Sequence, residues 1–113
     1  MEVFGQTNIE LNKDQGILKI SGISMMEDAI DFYSELKQTV SNYLAEPSNY
    51  LCIEFELSYF NSSSAKQFVQ LLSIVENGRG KVKWIYPKDH KIMFDRGREL
   101  EILVDVPFKF KGI

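Results

Sequence analysis

One cysteine and one histidine stand in 113 residues. Cys52 alone closes no internal disulfide, which fits a reducing compartment. His90 alone excludes a histidine pair for a metal, and no metal site or cofactor is expected. Neither charge sign dominates: 13 Lys and Arg against 16 Asp and Glu leave a net charge of −3. That balance argues against nucleic acid or an anionic membrane as the main partner. No apolar run is long enough to span a bilayer. No basic stretch followed by an apolar one opens the chain, so no signal peptide is expected and the localisation reads as cytoplasmic. Nucleotide-binding glycine motifs, a Walker loop and a nucleophile elbow are all missing, so an enzyme has little support. Only three prolines occur, and no repeat or linker divides the chain. Residues 1–113 therefore read as one domain.

The remaining composition, 44% hydrophobic and 26% charged, is that of an ordinary globular protein of a size that buries a core without staples. Residues Met1–Gln6 read as a loose lead-in. Thr7–Asn12 alternates, Lys13–Gly16 turns, and Ile17–Ser21 follows, which predicts a β-hairpin with a four-residue loop. Ser24 and Glu27 have capping-box spacing. They predict a helix over 25–45 with Ile30, Tyr33, Leu36, Val40, Tyr43 and Leu44 as its apolar stripe. The next strand, 50–57, sets Leu51, Ile53, Phe55 and Leu57 on one face and Cys52, Glu54 and Glu56 on the other.

A second helix follows, with Ala65, Phe68, Val69, Leu72 and Val75 at helical spacing and Asn77-Gly78 as its C-terminal cap. Lys81–Tyr86 is the next strand. Its Lys81 and Lys83 suit cross-strand partners for Glu54 and Glu56 on a solvated face. Strand, helix, strand makes these two strands parallel. Asp89 reads as the cap of a third helix whose apolar side is Ile92, Met93, Phe94, Leu100 and Leu103, with Gly97 a weak point in it. Pro107–Lys111 reads as an edge strand, since its proline and lysines discourage further pairing. The predicted fold is a small single α/β domain, β-β-α-β-α-β-α-β, a mixed β-sheet with helices mainly on one face.

The stretch with most to offer chemically is Tyr59-Phe60-Asn61-Ser62-Ser63-Ser64-Ala65-Lys66. Here the period changes from two to 3.6, leaving hydroxyls where the first backbone N–H groups of a helix lack partners. Asn and Ser are preferred helix caps. The same place also welcomes a phosphate, because the positive end of the helix dipole lies there. Four cap-type residues in a row exceed what capping requires. Elsewhere, Glu54 and Glu56 form a possible catalytic carboxylate pair, with a solvated strand face as the plainer reading. Cys52 beside these carboxylates reads as structural, since they would raise its pKa. Arg79, Arg96 and Arg98 are candidates for an anion site, with a solvated face as the default.

The run from Leu57 to Lys66 resembles the signature of the SiaC family of bacterial regulatory phosphoproteins: a Tyr, a Phe or Leu, an Asn, then Thr or Ser followed by serines. Three further stretches agree, namely Gly16–Gly22, the helix from Glu27 to Leu44, and Val82–Tyr86 with Pro107-Phe108. The resemblance covers about residues 9–113. It implies a STAS-like fold, similar to that of anti-sigma-factor antagonists. It also implies a partner switch. A GHKL-type kinase phosphorylates a hydroxyl, a PP2C-like phosphatase removes the phosphate, and the unphosphorylated form binds and activates a diguanylate cyclase in c-di-GMP signalling. The family's Thr aligns with Ser62. The STAS analogy favours Ser63, and Ser64 completes the candidate set. Tyr59, Phe60, Asn61 and Lys66 become the expected partner-binding residues. Two other readings are an antagonist that sequesters a kinase or anti-sigma factor, and a small-ligand binding module.

Overall fold

Strands and helices alternate in the order their periodicities call for. The computed structural model describes residues 6–113, so the lead-in expected over Met1–Gln6 lies, apart from Gln6, outside the described residues. Strands β1 (Thr7–Asn12) and β2 (Ile17–Ser24) form the hairpin. Helix α1 (Ala29–Leu44) leads to β3 (Leu51–Phe60), α2 (Ser62–Ile74) to β4 (Gly80–Tyr86), and α3 (Lys91–Glu101) to β5 (Phe108–Gly112). The sheet order is β1-β2-β3-β4-β5. β1 pairs antiparallel with β2, and every later pair is parallel, as crossover helices require. β5 takes the edge position its proline and lysines suit.

Three helices cover one face of this sheet. Leu51, Ile53 and Phe55 of β3 pack with Tyr33 and Val40 of α1, Phe68 and Leu72 of α2, and Met93 of α3 in a single core. Gly97, the weak point of the third helix, has a packing reason: a Cβ there would sit 2.5 Å from the Trp84 Nε1. The indole fills that space and donates from Nε1 to the Met93 carbonyl at 2.9 Å. The opposite face of the sheet carries the charges. Glu54 registers opposite Lys83, as the alternation suggests. Glu56 lies past the end of the β3–β4 ladder and pairs instead with Lys19 at 3.6 Å. Both groups are about 40% exposed, so the pair contributes little to stability.

Several boundaries differ from the sequence reading, for identifiable reasons. Strand β3 continues to Phe60 because β2 continues beside it, Ser24 opposite Phe60. The register there shifts: Gly22 faces Leu57 but Ile23 faces Tyr59, leaving Ser58 as an extra residue. A bulge flips the phase of a strand. Phe60 therefore turns inward and Tyr59 outward, which ends the simple alternation at Leu57. Gly22 takes φ 94° at this point, and a Cβ on it would collide with the Gln6 carbonyl.

The capping box at Ser24 is not formed. Ser24 is the last residue of β2 and fully buried, and Asp28 caps α1 by accepting from the Asp31 N–H. Ile30 is 65% exposed rather than part of the stripe. Helix α2 ends at Ile74 with Val75 as its cap. Asn77 and Gly78, at φ 66° and 78°, form the turn beyond it. His90, not Asp89, precedes α3, with no side-chain cap, and Ile92 and Leu103 point to solvent.

Candidate functional site

The serine run sits at the C-terminal end of the central strand. Asn61 is the N-cap of α2. Its Oδ1 accepts from the Ser64 N–H at 2.9 Å, and its Nδ2 donates to the Met26 carbonyl at 3.3 Å. The Asn61 backbone N–H donates to the Ser24 carbonyl at 3.0 Å. One side chain thus caps the helix and ties it to the segment between β2 and α1. The hydroxyls of Ser62 and Ser63 are not needed for capping, and both residues are exposed.

Ser64 is different. It is fully buried, with its Oγ 2.7 Å from the Ser24 Oγ and donating to the Ser24 carbonyl at 3.0 Å. The Ser24 Oγ lies 2.6 Å from the Tyr33 Oη, and both serine hydroxyls approach the Met26 Sδ at 3.7 Å. The network is satisfied, which is what makes buried hydroxyls tolerable. Burial pushes the Tyr33 phenol up, against the lowering effect of its bonds to Ser24 and Thr7. Ser64, one of three acceptor candidates, is therefore out of reach of an enzyme in the folded chain.

Of the residues expected to meet a partner, Tyr59 is 46% exposed and Lys66 is exposed. Phe60 is 1% exposed, because the bulge turns it into the core against Phe68 and Trp84. Its contribution to the surface is indirect. The Arg96 guanidinium lies 3.8 Å over its ring and 5.7 Å from that of Tyr59, and its Nη1 donates to the Phe60 carbonyl. This clamp pins α3 to the end of β3. The anion site expected of Arg96 with Arg79 and Arg98 is not formed, because the three arginines have separate partners. Arg79 donates to the carbonyls of Leu44, Glu46 and Asn49, and Arg98 pairs with Glu101.

Beside the serines lies a cleft of about 170 Å³ lined by Ser63, Lys66, Gln67 and, across it, Glu27, Asp28 and Ile30 at the start of α1. Two helix N-termini therefore share one cleft. Elsewhere, Cys52 is a half-buried free thiol whose pKa burial pushes up, with Lys81 opposing and Glu54 reinforcing the shift. A thiol held neutral in this way is a poor nucleophile. Among the described residues no cluster of three or more His, Cys, Asp or Glu is placed to hold a metal ion. No helix among them is long and apolar enough to cross a membrane.

The serine run thus forms a capped helix mouth with Ser62 and Ser63 exposed, after a bulged central strand. The family model described as SiaC family regulatory phosphoprotein matches residues 5–113. The chain belongs to the SiaC family. Its fold is that of solved SiaC structures from Pseudomonas aeruginosa. SiaC itself is 21% identical, with a TM-score of 0.86 over 100% of this chain and 95% of that one. The apo form of SiaC is 19% identical, with a TM-score of 0.78 over 98% and 94%. A chain in the crystal structure of the diguanylate cyclase SiaD in complex with its activator SiaC is 21% identical, with a TM-score of 0.89 over 99% and 96%. No curated protein matches the chain. These likenesses establish the fold of the SiaC-family chain.

Proposed function

We propose that this SiaC-family chain is a cytoplasmic, non-enzymatic switch. Its unphosphorylated form binds and activates a diguanylate cyclase, and reversible phosphorylation of Ser62 releases it. A GHKL-type kinase adds the phosphate and a PP2C-like phosphatase removes it. The observation that carries this reading is the split within the serine run: Asn61 does the capping, Ser64 is sealed, and Ser62 and Ser63 are left exposed. The crystal structure of SiaD with its activator SiaC supports the choice of a cyclase.

Charge separates the two free serines. Lys66 lies four residues beyond Ser62 and three beyond Ser63, and it lines the cleft beside Ser63, so it attracts a phosphate on either serine. Ser63 lines the cleft that Glu27 and Asp28 face, so a phosphate there meets two carboxylates. Ser62 is therefore the acceptor. A phosphate brings about −1.5 to −2 charge and three strong acceptor oxygens. At the helix mouth it is held by the dipole and by Lys66, and it stands next to exposed Tyr59 on the docking surface. A partner seated there would have to desolvate it. A penalty of about 3 kcal/mol weakens binding roughly a hundredfold.

The test measures product formation by the cognate cyclase as a function of added parent, Ser62→Ala and Ser62→Asp chains. Activation by parent and Ser62→Ala but not by Ser62→Asp is expected. Equal activation by all three would overturn the switch.

A further inference from the structure

A groove along the outer flank of α1 holds none of the serines, although Glu27 and Asp28 line both it and the serine cleft. Its floor is apolar: Met26 at one end, Phe32 in the middle, and Leu36 with Ile9 of β1 at the other. Phe32 joins two clefts of about 510 and 320 Å³, is 39% exposed, and stands edge-on to Tyr33 with ring centroids 4.9 Å apart. Burying that exposed ring on a partner would contribute to binding.

The rim is acidic. Glu27, Asp28, Asp31 and Glu35 are all exposed, and among the described residues no lysine or arginine lines either cleft. These four carboxylates exceed the net −3 of the whole chain, so the remainder is slightly positive. The like charges crowd one another, and Asp31 is held above its usual pKa by a hydrogen bond and repulsion from Asp28. Lys37 turns the other way, donating to Gln67 and Gln70 on α2.

We infer that this groove docks a basic amphipathic helix of a protein partner, with its apolar stripe on Phe32 and its lysines or arginines on the acidic rim. Spacing favours a helix over a strand. Asp28, Asp31 and Glu35 recur every three to four residues, about one turn or 5.4 Å of α1, which matches cations at i, i+3 and i+7 on a helix lying alongside. Amphipathic helices are recognised in this way, by apolar anchors at helical spacing in a groove, and opposite rim charges set the orientation. The inference rests on reading the chain as a partner-binding protein and is independent of Ser62.

The experiment uses three labelled peptides of equal length. One is amphipathic, with lysines at i, i+3 and i+7 and a leucine stripe. The second is its scrambled version, and the third carries a central proline. Fluorescence anisotropy reads their binding to the intact chain at low and high salt, and backbone amide shifts locate it. Expected are binding of the first peptide at least tenfold tighter than the other two, a loss with added salt, and shifts centred on Phe32 and Glu35. Phe32→Ala and Glu35→Lys, both at exposed positions and checked by thermal melting, should each weaken binding at least tenfold. Should either fail to fold, Asp31→Asn serves with a smaller expected loss. Ser62→Asp should change the peptide's affinity less than threefold, whatever it does to cyclase activation. Equal binding of all three peptides, indifference to Glu35→Lys, or shifts confined to the β1 edge would overturn the inference.

Discussion

The two helices that begin at the shared cleft begin differently. α1 starts with an acidic cap, Asp28, followed by Asp31, and Glu27 precedes it. α2 starts with a neutral amide and three serines, and its first turn holds no acidic residue. A helix N-terminus favours negative charge. α1 supplies its own, permanently. α2 leaves the place uncharged, with the exposed Ser62 and Ser63 beside it. For the proposed switch, the contrast favours control by the electrostatics of the helix mouth over control by its hydrogen bonds, since both helices are capped by side chains.

The largest effect that would sharpen this contrast lies within α2 itself. Ser64→Asp places a carboxylate among buried Ser24, Tyr33 and Met26. It should cost several kcal/mol of stability in urea unfolding, the usual penalty for a buried ion. Ser62→Asp, two positions away, should be neutral or stabilising by about 0.3–1 kcal/mol from the dipole. Similar losses at both positions would show that the two serines are not distinguished by burial.

Caps come next. Asn61→Ala removes the bond to the Ser64 N–H and the tie to Met26. A loss of about 1–2 kcal/mol is expected by the same measurement. Asp28→Ala should cost less, because its bond to the Asp31 N–H is longer, 3.3 Å, and exposed. The reverse order would break the comparison.

A smaller effect depends on pH. Burial raises the Tyr33 phenol above its ordinary value of 10.0. Above pH 10 the unfolded chain releases this proton while the folded chain retains it. The unfolded state then binds fewer protons, so stability falls as pH rises past 10. Tyr33→Phe should flatten that alkaline slope in stability measured across pH 9–11.

Much of this was legible beforehand. The hairpin, the helix-strand alternation and the edge position of the last strand follow from period and turn chemistry, and Gly16 takes the φ of 68° that its turn needs. Less legible was the bulge opposite Gly22-Ile23. A one-residue insertion leaves no mark in composition, yet it reverses the roles of Tyr59 and Phe60. Nor did local pattern reveal Ser24, Tyr33 and Ser64 as one network, since they are joined only through tertiary contact. Ser24 has the spacing of a helix cap, and only the continuation of β2 assigns it to the sheet. The charge contrast between the two helix starts was written in the sequence all along. Its meaning required seeing Glu27 and Asp28 across a cleft from Ser63.

The most direct measurement is calorimetric titration of the cognate cyclase with the chain carrying phosphoserine at position 62 alone, against the unmodified chain. Affinity at least thirtyfold weaker is expected for the phosphorylated form, a difference of about 2 kcal/mol, with both forms equally folded. Indistinguishable affinities would contradict the switch.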